Sequence, residues 1–192
     1  MKYGLTDLTF NKDTANYFLY VSDDLLTVQR QKKEQRYKPH PLRFTREHQV
    51  LSNDCVSHGR HQWELEAEGL WDIAVTYKEI TTVSAISSRS SRLFGDNLVS
   101  WSVAHVGDGK VFAYHAGVRE KIDAFLTSSW SYNRIVVVVD FQMGLITFSE
   151  VDGRWRHLHT FKVDLDRPVC LGVGLFSLAL PSSVSVKEID FF

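Results

Sequence analysis

Along most of the chain, apolar residues alternate with polar ones. Trp63 and Leu65 stand against Gln62, Glu64 and Glu66, and Trp71, Ile73 and Val75 recur at every second position. Trp101 and Val103 repeat the pattern, and Val184 and Val186 alternate with Ser183, Ser185 and Lys187. A period of two sends successive side chains to opposite faces, so these segments are predicted to be half-buried β-strands. Ile135 to Val139 is β-branched throughout and too short for a helix, which predicts a central strand covered on both faces. Between the runs lie Glu68-Gly69, Gly107-Asp108-Gly109, Ala116-Gly117, Met143-Gly144 and Asp152-Gly153, each suited to the positive φ of a tight hairpin. Short strands joined this way predict an all-β fold, a sandwich of antiparallel strands. Helical periodicity is best in Asp24 to Gln35, which supports no more than one short turn.

Composition fits one soluble globular domain. The chain has 192 residues, 44% hydrophobic and 23% charged, and at this size roughly 70% of the unfolded surface can be buried without disulfides or structural metal. Twelve Phe, seven Tyr and five Trp supply bulky core material. Arg30 to His48 carries Pro39, Pro41 and many charges, and is expected to be a surface connection between a short N-terminal strand unit and the main run of strands. No internal repeat argues for a propeller or solenoid. Cys55 and Cys170, the only cysteines, lie far apart; this usage suits a reducing compartment and predicts two small buried hydrophobes. No apolar run has the length of a membrane-spanning helix, and Met1 to Asp7 has no secretory h-region, so a cytoplasmic location is expected.

Candidate chemistry is sparse. There is no nucleophile elbow, Walker-type loop or H-E-x-x-H string, and Gly107-Asp108-Gly109-Lys110 reads as a hairpin turn. Cys55-x-x-His58-x-x-His61 carries zinc-ligand types but lacks a fourth partner at a usual spacing, so a strand-entry loop is preferred and no metal or cofactor is expected. His157 and His159 would share a strand face, too few for a good site. The pairs Glu64/Glu66 and Asp164/Asp166 read as solvated faces. An enzyme is therefore not expected.

A specific resemblance is carried by ordered motifs. Leu8-Thr9-Phe10-Asn11, Thr14-Ala15-Asn16 and Val21-Ser22-Asp23-Asp24 resemble the opening PRY segment of PRY-SPRY (B30.2) domains. Ser57-x-Gly59-Arg60-His61-x-Trp63-Glu64-Leu65-Glu66, after Arg43-Phe44 and Val50-Leu51, is similar to the S-G-x-H-Y-W-E-V-E signature of SPRY, and Trp71-Asp72-Ile73-Ala74-Val75 to the next strand. Gly95-x-Asn97-x-x-Ser100-Trp101 and Val139-Asp140-Phe141-Gln142-Met143-Gly144 follow in order, so the resemblance runs from about Leu8 to Phe192. The chain departs from the family at Pro168-Val169-Cys170-Leu171-Gly172-Val173, where P-L-Y-P-A-F is usual, and at Tyr17 in place of a common proline.

The resemblance implies one PRY-SPRY domain over residues 1–192, with a PRY segment at 8–48 and SPRY at 49–192. It implies a twisted, concanavalin-like sandwich that is non-catalytic and serves protein recognition. Similar domains close tripartite-motif ubiquitin ligases of innate immunity and their Riplet-like relatives; butyrophilin tails, fish NOD-like receptors and some fish venom proteins carry others. The isolated domain is then expected to be monomeric, without small-molecule substrate or membrane, inside a parent that could dimerise through a coiled coil. In the family the partner surface is built from rim loops, here Arg30 to Lys38, Tyr77 to Asp96, Ala104 to Lys110 and Phe176 to Ser182. Rim loops on a rigid sandwich can vary without disturbing its core. The candidate partner-binding residues are Tyr77, Arg92, Phe94, Asp96, His105, Asp108, Lys110, Ser177, Leu178 and Leu180: apolar anchors, with charges that tune on-rate and selectivity. Trp63, Trp71 and Trp101 are expected in the core.

A competing class rests on charge. Residues 30–48 carry seven cations, Arg30, Lys32, Lys33, Arg36, Lys38, Arg43 and Arg46, against Glu34 and Glu47. With Tyr37 nearby, Arg30, Lys32, Lys33, Arg36 and Lys38 are candidates for contact with an RNA backbone, a binding mode with steep salt dependence.

Overall fold

The computed structural model describes residues 8–82, 91–128 and 132–187. Along them run the strands β1 (Leu19–Val21), β2 (Thr27–Arg30), β3 (Gln49–Leu51), β4 (Arg60–Glu68), β5 (Trp71–Tyr77), β6 (Ser100–Gly107) and β7 (Lys110–His115). They continue as β8 (Val118–Phe125), β9 (Asn133–Asp140), β10 (Leu145–Asp152), β11 (Arg154–Lys162), β12 (Val169–Gly174) and β13 (Ser183–Val186). Two antiparallel sheets result, in the order β1-β2-β13-β4-β9-β10-β11 and β3-β12-β5-β6-β7-β8. The fold class is the all-β sandwich that the alternation predicts. One 3-10 turn, Lys78–Thr81, is the only helical element among the described residues. The Asp24 to Gln35 stretch forms β2, paired with both β1 and β13.

Period-two patterning puts Trp63, Leu65 and Ala67 of β4 inward, opposite Trp71, Ile73 and Val75 of β5. Trp63, Trp71 and Trp101 are core, as expected. β9 lies inside its sheet between β4 and β10; Ile135, Val136, Val137 and Val139 are buried and Val138 is half-buried. Four of the five turn signals close hairpins: β6-β7, β7-β8, β9-β10 and β10-β11. Asp108 and Ala116 adopt positive φ there (54° and 53°). Glu68-Gly69 does not close a hairpin, because it carries the chain from β4 in one sheet to β5 in the other. At Gly69 (φ 75°) a Cβ would lie 2.3 Å from the Pro181 carbonyl oxygen, so the crossing requires both the left-handed conformation and the missing side chain.

The six-stranded sheet is covered on both faces at β5 and β12. Its outer face carries Ala74 under a second apolar cluster with Phe44, Leu51, Ile80 and Phe94, and β5 and β12 are buried along their whole lengths. Gly172 lets this layer settle, since a Cβ there would lie 2.4 Å from the Phe94 ring.

Two expectations are corrected here. The 30–48 segment is not wholly a surface connection. Phe44 is fully buried, and the buried Arg43 guanidinium donates to the carbonyls of Lys12, Ala15 and Lys38 (2.7, 2.8 and 2.8 Å) while lying over the rings of Tyr17 and Tyr37. Nor are the cysteines separate buried thiols, because Cys55 and Cys170 form a disulfide. Val56 and Val169 exchange backbone hydrogen bonds, so the next pair outward, Cys55 and Cys170, faces across the bridge with Cα atoms 4.3 Å apart. Sequence separation hid this contact. The cysteine count therefore does not argue for a reducing compartment. It also removes Cys55 from any metal set with His58 and His61. Among the described residues no helix is long and apolar enough to cross a membrane.

Candidate functional site

At one end of the sandwich a cavity of about 300 Å³ opens on the six-stranded sheet. Leu70, Trp71 and Asp72 reach it from the start of β5, Ala104 to Val106 from the end of β6 and Arg119 from β8. Leu93 and the pair Phe176 and Ser177 close it from two loops. These loops are fixed from below. Asn97 donates to the carbonyls of Ser91 and Leu93 (2.9 and 3.0 Å), while the buried Gln49 amide donates to the Arg92 carbonyl and accepts from Phe94 N–H. Ser182 Oγ accepts from Leu70 N–H (3.0 Å), tying the 176–182 loop to the crossing at Gly69.

Asp72 is the distinctive group. Alternation turns it to the outer face with Ala74, while Trp71 and Ile73 go inward. The residue is 6% exposed, and its Oδ1 is buried with no hydrogen-bond partner among the described residues. Burial pushes its carboxyl up to about 7, opposed by the neighbouring Ser102 hydroxyl and the Arg119 charge. Arg119 is exposed, with its guanidinium over the Tyr114 ring at 4.7 Å. Among the described residues the Ser102 hydroxyl, itself buried without another partner, is the one neighbouring donor; a buried carboxyl so thinly satisfied is costly, and such a group in a cavity points to function.

The candidates divide sharply. Phe176, Leu178 and Leu180 form an exposed apolar rim (38, 50 and 38% exposed), with Ser177 half-buried among them. Asp108 and Lys110 are exposed on the β6-β7 turn, Arg92 is half-buried, and Asp96 accepts from Tyr114 O–H (2.8 Å). Three candidates are not surface groups. Tyr77 is buried edge-on against Trp101, capped by the Arg167 guanidinium at 4.5 Å. Phe94 is fully buried against Phe44 and Gly172. His105 is 3% exposed; its Nε2 accepts from Gly109 N–H (3.0 Å), so Nδ1 carries the hydrogen bonded to the Gly69 carbonyl (2.6 Å). His105 therefore clasps two turns and is not free for a partner. Residues 83–90 of the Tyr77 to Asp96 loop lie outside the described residues.

The basic candidates also separate. Lys32, Lys33, Arg36 and Lys38 are exposed. Arg30 is half-buried over the Phe18 ring at 5.3 Å, with Nε and Nη1 shielded from water, which takes it out of a phosphate-facing set.

Sequence reasoning missed Asp72, Phe176 and Arg119 as site residues. The available signal was a lone acid inside Trp71 to Val75, a strand otherwise apolar on both faces. A second cavity of about 310 Å³, near the disulfide, is lined by Asn11, Thr14, Ser52 and Asn53 among others. Their polar groups are taken up by the chain itself: Thr14 Oγ1 by Asn11 and Leu51, Ser52 Oγ by Asp54 and Leu171, and Asn53 by Thr9 and Phe10.

Comparison with known proteins agrees with this architecture. Residues 8–56 match the PRY model, an SPRY-associated domain. The chain is 32% identical over 170 residues to stonustoxin subunit alpha of Synanceia horrida, covering 85% of this chain and 22% of the toxin subunit. It is 33% identical over 173 residues to tripartite motif-containing protein 14 of Mus musculus, covering 88% of this chain and 37% of that protein. The chain thus spans between about a fifth and two fifths of these relatives. The TRIM65 PSpry domain superposes with a TM-score of 0.77 at 20% identity, over 96% of this chain and 92% of that one.

Proposed function

This chain belongs to the PRY-SPRY family, whose domains are generally non-catalytic protein-interaction modules, and we propose that it selects a protein target for a longer parent through the cleft at Asp72 and its rim. The observation that carries this reading is the apolar rim of Phe176, Leu178 and Leu180 beside a cavity lined by the buried Asp72 carboxyl, whose Oδ1 lacks a well-formed hydrogen bond. Apolar anchors at a preformed cavity dominate interface energies, while Arg92, Asp96, Asp108 and Lys110 around them set approach and selectivity. The PRY segment, 8–48, and the SPRY segment, 49–192, act as one unit, supported by a single core that includes Leu8, Phe10 and Val28 together with Trp63 and Trp71. From the resemblance to tripartite-motif proteins we further infer a parent that is a ubiquitin ligase of innate immunity, the domain itself being a monomer that works in the cytoplasm.

The test is capture of partners from lysate by the domain and by its Leu178→Asp variant, with and without RNase. Leu178 is half exposed, so the variant keeps its melting temperature within a degree or two. Proteins retained after RNase and lost with Leu178→Asp support the reading. Capture that vanishes with RNase and ignores Leu178→Asp replaces it with RNA contact through Lys32, Lys33, Arg36 and Lys38, which are exposed on one loop.

A further inference from the structure

Resting on that reading of the cleft, we propose that the site takes a positively charged side chain of the partner, an arginine or lysine, whose head group reaches Asp72 while its aliphatic stem lies along Leu93, Val106 and Phe176. The geometry carries the assignment. Asp72 lines the cavity with its Oδ1 lacking a well-formed hydrogen bond, the Ser102 hydroxyl being the neighbouring donor, and Leu70, Leu93, Val106 and Phe176 supply an apolar passage to it. Long cationic side chains match that division, with a methylene stem for apolar walls and donors at the tip. A carboxylate accepting from a cation forms the stronger kind of hydrogen bond, more so where water is excluded. No salt bridge to Asp72 forms among the described residues; Arg119, the nearest cation, is held over Tyr114. An acidic partner would meet the Asp72 charge and an apolar one would leave its oxygen unsatisfied, so both are disfavoured.

The charged and titratable groups around Asp72 are few. Arg119 comes from β8 and His105 from β6, the latter committed to Gly69 and Gly109. His48 stands behind Phe176, with ring centroids 6.4 Å apart. Raising the pH from 6 to 8 ionises Asp72 while a guanidinium stays charged, so affinity for a cation rises over that window.

Fragment titrations of the 192-residue chain followed by NMR test this without a known partner, using n-butylguanidinium, butyramide and butyrate as probes. The expected result is shifts at the Ala104 and Ser177 amides from n-butylguanidinium, roughly tenfold tighter binding than butyramide and no binding of butyrate. Asp72→Asn should weaken the cation roughly tenfold, and Arg119→Gln should strengthen it by removing a like charge. Lowering the pH from 8 to 6 should weaken it roughly tenfold in the unmodified chain, a readout that does not depend on any variant. Equal binding of butyramide, preference for butyrate, or affinity unchanged by Asp72→Asn would overturn the assignment. If n-butylguanidinium fails while Leu178→Asp still strips RNase-resistant partners, the recognition reading stands and the cation assignment falls.

Discussion

Asp72 places a cost where the cleft has a use. Its carboxyl is pushed up to about 7 by burial, whereas the unfolded chain releases that proton near its ordinary value of about 4. The folded state therefore holds a proton that the unfolded state has lost, so stability falls as pH rises from about 4 to about 7 and stays lowered above that. Asp72→Asn should raise the melting temperature at pH 8, by about 1–3 kcal/mol or roughly 3–10 °C, and the gain should vanish towards pH 4. No gain at pH 8 in a thermal melt would mean that the carboxylate is already satisfied. Arg43 is the converse case, a buried charge fully used. Its fork serves three carbonyls and two aromatic rings, and a lysine cannot reproduce that planar geometry. Arg43→Lys should cost about 2–3 kcal/mol in denaturant unfolding; a loss under about 0.5 kcal/mol would show the fork to be dispensable. Neither role was readable from residue type. Asp72 looked like one letter of a strand motif and Arg43 like one more charge in a basic loop, because what distinguishes them is what folding brings beside them.

Among the elements, strands were more legible than loops, for a physical reason. Strand alternation is imposed by the two faces of each sheet, so Trp63, Trp71 and Trp101 could be placed inward from spacing alone. Loop residues answer to whatever lies below them. Phe94 and Tyr77 sit on predicted rim loops yet turn inward, because Gly172 leaves room for one ring and Trp101 packs against the other, whereas Leu178 stays out. Positive φ at a turn shows the same ambiguity. Gly153 closes a hairpin with nothing within 4 Å of its missing Cβ, while Gly69 crosses between sheets with Pro181 and Ser182 against it. Both residues have positive φ, so Gly153→Ala should cost only the left-handed penalty, about 1–2 kcal/mol. Gly69→Ala should lower the melting temperature further, since the 176–182 loop has to move, and should also weaken partner capture. Equal melting temperatures for the two variants would separate the crossing from the rim.

At the scale of the whole molecule, the least anticipated feature is the bond between Cys55 and Cys170, which span 115 positions of sequence. Cross-linking two such distant points removes many conformations from the unfolded ensemble, and disulfides of this kind typically add about 2–4 kcal/mol. It ties β12, which lies between β3 and β5, to the segment that follows β3. The 176–182 rim begins just beyond β12, and the bond lies by the second cavity, away from Asp72. Reduction should therefore lower stability while leaving the cleft able to bind. Melting with and without reductant should show a drop of roughly 5–15 °C, and the n-butylguanidinium titration should be unchanged below the lower transition. Alkylation of the unreduced protein should leave both cysteines unlabelled. Labelling of both would return them to the role of packed thiols, and equal melting temperatures would show that the bond adds nothing to the fold. A drop in melting temperature together with loss of probe binding in the still-folded reduced protein would couple the cleft to the redox state of the chain, through the β12-β5 pairing that joins them.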